Sequence, residues 1–247
     1  MNRWLFDLGN TRLKCAPVDA AGRIGTVRAL AHDGVRFDEG LAAALPARFT
    51  DACVASVASE SLRAELLDAL AQRCGRISLA CTQRRFGDVA IAYAQPARLG
   101  VDRFLALLGA RARGAEAALV VGVGTALTID WLDADGRHRG GRIAPSPMLM
   151  REALHARAAH LPVDGGDYAE FADDTDDALD SGCTGAALAL VERSLQVAQA
   201  QAGAVPRLLL HGGGSDALRP RLPHAIDAPA LVLEGLAQWA KAADAPA

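Results

Sequence analysis

The chain has 247 residues, 51% of them hydrophobic, 22% charged and only 4% aromatic, so its core is built mainly from Ala, Leu and Val and is large enough for one big domain or two packed ones. A net charge of -3 and a pI near 6.1, with Lys and Arg scattered and not interleaved with aromatics, argue against a nucleic-acid partner. The five cysteines, Cys15, Cys53, Cys74, Cys81 and Cys183, form no CxxC pair of the kind zinc or redox sites use, and the chain carries neither a signal-like start nor an apolar run of about 20 residues, which points to the cytoplasm and to no membrane partner.

Trp4 to Leu8 reads as a short strand ending at the turn-forming pair Gly9-Asn10, with Thr11 to Val18 returning as a second strand. Asp51 to Ser56 is a further buried strand, and Ser59, Glu60 and Ser61 are candidate caps for an amphipathic helix from Leu62 to Cys74. Ile77 to Cys81 reads as a strand and Val101 to Arg113 as a helix, with Gly114 at its end. The opening pattern then recurs. Ala118 to Val121 is an apolar strand, Gly122, Val123, Gly124 and Thr125 a glycine turn, and Ala126 to Leu132 a return strand leading to the turn Asp135-Gly136. After a Gly140-Gly141 loop closed by Pro145 and Pro147 come a helix from Met148 to Ala159 and an acidic, turn-rich stretch from Gly165 to Asp177. A long helix from about Gly182 to Gln201, a strand from Arg207 to His211, the run Gly212, Gly213, Gly214 and a helix from about Leu231 to Ala243 complete the chain.

The two hairpin turns lie about half the chain apart, as in two copies of one strand-hairpin-helix unit, and no low-complexity linker separates the halves. The expected division is 1–115 and 116–247, with a phosphate-binding turn of each half facing a shared cleft.

In the first hairpin, Asp7 ends a strand, Gly9 lets backbone approach closely, Asn10 and Thr11 offer donors and Lys14 supplies a compact positive charge. Backbone N–H groups in such a turn form an anion nest, and a carboxylate at its rim can hold Mg²⁺ through water. The same residues also suit a plain polar β-turn. No GxxxxGK[ST] occurs, so the design is not a P-loop. Asp102 falls in the first turn of a helix, where an acidic residue is commonly only a cap. Within reach of an acceptor hydroxyl it could instead take the proton as that oxygen attacks a γ-phosphate, with Arg103 pairing with an anionic substrate group.

Together these segments resemble the type III pantothenate kinase family, whose motifs read DxGNTxxK, GxDR, GTAxTxD, GGxIxPG and a late Gly-Gly run. Here they stand at Asp7 to Lys14, Gly100 to Arg103, Gly124 to Asp130, Gly140 to Ser146 and Gly212 to Gly214, in the family's order. The resemblance implies an α/β fold of two duplicated ribonuclease H-like domains, as in actin-like ATPases, with an interdomain cleft. It also implies a homodimer that uses ATP with Mg²⁺ to phosphorylate pantothenate, the first step of coenzyme A synthesis. By the same resemblance Asp7, Leu8, Gly9, Asn10, Thr11, Arg12, Leu13, Lys14 and Thr125 contact ATP, Asp102 is the catalytic base, and Tyr93, Gly100, Val101, Asp102, Arg103 and Thr175 contact pantothenate. Tyr93 is equally compatible with a partly buried core tyrosine, and Thr175 with a helix cap.

Two positions depart from the family. Gly122 stands where the family usually has an aspartate associated with a monovalent cation (K⁺ or NH₄⁺), and Ser146 stands where the proline is normally followed by glycine. The expectation is lost or weakened potassium dependence and greater weight on Asp7 in organising Mg²⁺; whether Ser146 narrows the substrate pocket is left open by the sequence. A catalytically impaired nucleotide-binding regulatory protein of the same fold is the alternative, resting on Gly122 alone. The His211 to Gly214 run matches an esterase oxyanion loop, but no GxSxG elbow accompanies it. His155 and His160 show no zinc spacing and read as surface residues, and Asp173, Asp174, Asp176 and Asp177 lack the spacing of a calcium loop.

Overall fold

A computed structural model describes residues 2–37 and 40–242; the expected end of the last helix at Ala243 lies outside them. Among the described residues the chain forms two compact units. One takes in the chain up to Ala115 together with the part from Ala230, and the other is Glu116–Pro229.

The first unit begins with β1 (Arg3–Leu8), β2 (Arg12–Val18), β3 (Arg28–Ala31), the short α1 (Leu41–Ala44), β4 (Phe49–Ser56), α2 (Glu60–Ala71) and β5 (Cys74–Leu79). The strands make one sheet in the order β3-β2-β1-β4-β5, with β1 antiparallel to β2 and parallel to β4. β1 is central, and Trp4, Leu5, Phe6 and Leu8 are all buried, a dense apolar run interrupted only by Asp7, as in a strand covered on both faces. Trp4, Phe6 and Leu8 join Leu62, Leu66 and Leu70 of α2 in one core. Those leucines recur every four residues on one helix face, and burying each contributes about 1.5–3 kcal/mol. Ser59 caps α2 by accepting the Leu62 N–H at 3.4 Å.

A two-stranded ribbon, β6 (Arg85–Phe86) with β7 (Val89–Ala90), leads to α3 (Val101–Ala112). Alternation along the strands turns Leu5, Cys53 and Ala55 toward the face that α3 and the terminal helix cover.

The second unit holds β8 (Ala118–Val123), β9 (Ala126–Leu132), β10 (His138–Pro145), α4 (Pro147–Arg157), α5 (Thr175–Ala202), β11 (Arg207–His211) and β12 (Ala225–Asp227). Its sheet order is β10-β9-β8-β11-β12, with β8 antiparallel to β9 and parallel to β11. Strand for strand, this repeats the order and directions of the first sheet. Ala187, Leu188 and Val191 of α5 pack on Leu119, Val121, Leu127 and Ile129. α5 starts at an Asp174 cap that accepts the Asp177 N–H at 3.0 Å and ends at Gly203 with φ 73°, ahead of the expected start at Gly182. Asp176 and Asp177 belong to its first turn, where negative charge offsets the helix dipole.

β10 was expected as a Gly-Gly loop. Gly140 and Gly141 instead pair with Trp131 and Asp130 in an edge strand that bulges between His138 and Gly140, a place where a sheet tolerates glycine. The buried His138 Nε2 meets the buried Asp130 carboxylate at 2.9 Å beside that bulge.

The expected division at 116–247 is corrected at its far end: the terminal helix α6 (Leu231–Ala242) belongs to the first unit. The reason is a close helix crossing with α3. A Cβ on Gly235 would lie 1.8 Å from the Leu105 carbonyl oxygen, and one on Gly109 2.4 Å from that of Leu231. Arg113 then clamps Glu234 with two bonds of 2.6 and 2.7 Å. No helix among the described residues is long and apolar enough to cross a membrane.

Because Gly235 faces rigid backbone, Gly235→Ala is expected to lower the melting temperature by about 5 °C or more. Gly182→Ala in α5, where a Cβ meets nothing within 4 Å, should hold or raise it; calorimetry on the two variants checks the contrast.

Candidate active site

The β1–β2 hairpin is built from buried residues outward. Leu8 and Leu13, both fully buried, form its last pair and Asp7 with Lys14 the pair before it. Gly9 N–H closes the turn on the Arg12 carbonyl at 3.0 Å, leaving Asn10, Thr11 and Arg12 exposed. Two other segments hold the turn in place. Val57 N–H donates to the Leu8 carbonyl at 3.0 Å, and His32 places Nε2 3.0 Å from the Gly9 carbonyl while its backbone N–H donates to Thr11 O at 3.3 Å. Because His32 Nδ1 accepts the Gly34 N–H at 3.1 Å, the ring hydrogen belongs on Nε2, facing Gly9. Sequence reasoning missed His32, since nothing local marks β3 as the strand that carries the chain to it.

Asp7 points toward the α3 side of the sheet. Its carboxyl pKa is raised from 3.8 to about 7, first by burial and next by the Asp102 carboxylate, against which the Lys14 ammonium pulls it down. Asp7 therefore feels the charges of both Lys14, its partner across the hairpin, and Asp102, 95 positions further along the chain, within one unit.

Asp102 lies in the first turn of α3, where its Oδ1 accepts the Arg103 N–H at 2.8 Å. A Cβ on Gly100 would sit 2.6 Å from that oxygen, so glycine there leaves the carboxylate its place. Asp102 is not the cap of this helix; Gly100 holds that position, with no side-chain bond. The buried Arg103 guanidinium donates to Tyr93 Oη at 3.3 Å and lies 5.9 Å from the centre of its ring. Tyr93 is partly buried and lines an open recess of about 480 Å³ with Ala94, Gln95 and Arg98. The structure thus groups Asp7, Lys14 and Asp102, and carries the helix on to Arg103 and Tyr93.

In the second unit, β8 runs on through Val123, so the turn is shorter than expected: Gly122 lies inside the strand opposite Thr128, and only Gly124 and the exposed Thr125 form the tip. Gly124 N–H donates to Ala126 O at 2.9 Å. The glycine run lies against the end of β8, with Gly214 N–H on the Val123 carbonyl at 2.9 Å. Gly212 has φ 99°, and a Cβ on it would be 2.2 Å from that same oxygen. Thr175 is the exposed first residue of α5, and the cap beside it is Asp174.

Ser146 has a role that the sequence did not suggest. Buried, it caps α4 by accepting the Leu149 N–H at 3.2 Å. His155 is partly buried, its Nδ1 2.7 Å from the Leu161 carbonyl, and His160 is exposed.

At Gly122 a monovalent cation finds no carboxylate. The point where a Cβ would stand is 2.7 Å from Thr128 Oγ1 and 2.9 Å from both Cε1 and Nε2 of His211, so neighbouring side chains already close that space. The residues present do not fit the cation.

The sequence profile of the type III pantothenate kinase family matches residues 4–197. The chain belongs to the type III pantothenate kinase family. The type III pantothenate kinase of Xanthomonas axonopodis pv. citri (strain 306) is 56% identical over 246 residues, covering 100% of both chains. That of Stenotrophomonas maltophilia (strain K279a) is 56% identical over 243 residues, covering 97% of this chain and 98% of its own. The family expected from the five ordered motifs is the family found.

Among solved structures, a Campylobacter jejuni protein described as a Baf family transcriptional activator superposes with a TM-score of 0.64 at 20% identity, over 97% of this chain and 98% of its own. A Sinorhizobium meliloti protein described as a 2-dehydro-3-deoxygalactonokinase gives 0.59 at 18%, over 99% and 100%. An archaeal actin homologue gives 0.54 at 10%, over 98% and 100%. This family member is therefore a mixed α/β protein with two sheets, similar in fold to sugar kinases and actin-like ATPases.

The raised pKa of Asp7 carries a sign. The folded chain disfavours the ionised carboxyl, so the stability tied to the protonated form is whole below about pH 4 and is lost as pH rises through about 7. Asp7→Asn, in the absence of nucleotide, is expected to melt several degrees above the parent at pH 8, with the gap closing toward pH 4; melting curves across that range check it.

Proposed function

We propose that this chain transfers the γ-phosphoryl group of ATP to the 4′-hydroxyl of pantothenate, giving 4′-phosphopantothenate and ADP in the first step of coenzyme A synthesis. The observation that carries the reading is that Asp7, opposite Lys14 across the hairpin, feels both Lys14 and Asp102 in a chain of this family. In this reading the proximity sets a phosphate-facing turn beside an acceptor-side carboxylate.

In this reading the turn residues Asp7 to Lys14, with Thr125, contact ATP. The exposed N–H groups of Asn10 and Thr11 face phosphate oxygens and Lys14 balances their charge. Asp102 accepts the hydroxyl proton as the pantothenate oxygen forms its bond to the γ-phosphorus and the bond to the bridging oxygen of ADP breaks. Arg103, already seated on Tyr93, pairs with the pantothenate carboxylate, and Gly100, Val101 and Thr175 are the further expected pantothenate contacts. Magnesium suits this donor set: Asp7 would hold it through water, and the ion neutralises charge on the phosphates. Pairing with a cation also favours the ionised form of Asp7, whose own surroundings disfavour it.

The repeated strand order supports two duplicated ribonuclease H-like domains. A homodimer is supported by the apolar groove of about 770 Å³ between α4 and α5, lined by Pro145, Leu149, Met150, Ala153, Leu154 and Leu179. Leu154 is 43% exposed there and Met148, elsewhere on α4, 50% exposed, surface that a second copy would cover. The alternative of an impaired nucleotide-binding regulator rests on Gly122, and product formation decides between the two.

Incubation with ATP, Mg²⁺ and pantothenate should give 4′-phosphopantothenate by mass spectrometry. Asp102→Asn should lower kcat by about 10²- to 10⁴-fold with little change in the KM for ATP, and Asp7→Ala should nearly abolish turnover. Absence of product, or a fully active Asp102→Asn, would sink the mechanism. Leu154→Asp is expected to shift the sedimenting species from dimer to monomer.

A further inference from the structure

The two hairpins share one register and distribute side-chain volume in opposite ways. In the first sheet the residue before the last hairpin pair is Asp7, whose neighbour on the parallel strand is the small Ala55. In the second sheet the equivalent residue is Gly122, and its parallel neighbour is His211. Across the hairpin, Lys14 of the first corresponds to Thr128 of the second. A functional side chain on the hairpin strand beside a small residue in one unit thus becomes a small residue beside a functional side chain in the other.

Space enforces the exchange. With both His211 ring atoms 2.9 Å from the position of a Gly122 Cβ, closer than real Cβ atoms come to their neighbours, any side chain at 122 collides with the imidazole unless one of them moves. The backbone that carries the ring is also held. His211 ends β11, and the next residue turns through φ 99° so that the Gly212 to Gly214 run lies on the Val123 backbone, leading away from the same strand end that presents Gly124 and Thr125. The imidazole, half-buried, sits two residues below that tip. A carboxylate holding a monovalent ion presents positive charge to a phosphate; an imidazole presents a polarised N–H to the same oxygen.

We propose that His211 replaces the carboxylate and its monovalent cation at the second hairpin: its ring N–H donates to a phosphate oxygen of the bound nucleotide, and the enzyme works without potassium or ammonium. Gly122 is the steric condition for this arrangement. The inference rests on the kinase reading above and deepens it.

The test measures calorimetric binding of a non-hydrolysable ATP analogue with Mg²⁺, and pantothenate phosphorylation, in potassium and in tetramethylammonium salts. The parent should perform alike in both, within about twofold. His211→Ala should weaken analogue binding about tenfold and lower kcat/KM on the order of 100-fold in both salts, with an unchanged melting curve. His211→Gln, whose amide keeps an N–H, should recover part of the loss and stands in should the alanine variant melt early. Gly122→Asp alone should be impaired, whereas Gly122→Asp combined with His211→Gly should regain activity only in potassium. More than about tenfold activation of the parent by potassium, or full analogue affinity in both His211 variants, overturns the proposal. If the parent makes no phosphopantothenate in either salt, the kinase reading falls, and the binding arm still decides the role of His211.

Discussion

The register of β1 is the constraint from which the rest of the candidate site follows. Side chains alternate along a strand, so a slip of one residue would turn Leu8 toward α3 and drive the Asp7 carboxylate into the core beneath α2. Trp4, Phe6 and Leu8, packed on Leu62, Leu66 and Leu70, make that slip prohibitively costly. Only in the native register does Asp7 oppose Lys14 and feel Asp102. The hydrophobic core thus positions the charges; the unfavourable proximity of two carboxylates is tolerated because the apolar register leaves it no alternative.

Small residues do the complementary work at every point where chemistry or packing requires close approach. Gly109 and Gly235 let α3 meet α6 backbone to backbone, and α3 is the helix whose first turn carries Asp102. Gly100 leaves room for the carboxylate itself, and Gly122 for an imidazole from the next strand. The Arg113–Glu234 clamp lies one turn beyond the helix crossing, where it ties the two helices after their glycines have set the distance.

Much of the fold was legible because its central elements are short, dense apolar runs. β1, β2, β4, β8, β9 and β11 and helices α2, α3 and α6 lie close to where periodicity and turn residues put them. The edge strands β3 and β10 were not. β3 is mostly exposed, and β10 carries two glycines at a bulge, so neither shows the alternation that marks a half-buried strand. α5 began earlier than expected because aspartates, which suit a turn, suit a helix N-terminus equally well. Of the site, Asp7, Lys14, Asp102 and Arg103 were legible through ordered motifs. His32 and His211 were not, since each owes its position to a partner far away in sequence. The cap made by Ser146 was hidden for a related reason: a serine after proline carries no sign of whether its hydroxyl faces a pocket or a helix N-terminus.

The return of α6 to the first unit has a consequence for the order in which the chain can be assembled. The second unit is one uninterrupted segment, Glu116–Pro229, and has all its strands and helices once that segment has left the ribosome. The first unit, although its synthesis starts first, lacks the partner of α3 until α6 emerges. Until then the apolar face of α3, from Phe104 to Leu108, has no α6 to cover it. Since domains fold as units during synthesis, the half that carries the candidate catalytic carboxylate is completed last, after its counterpart has already formed.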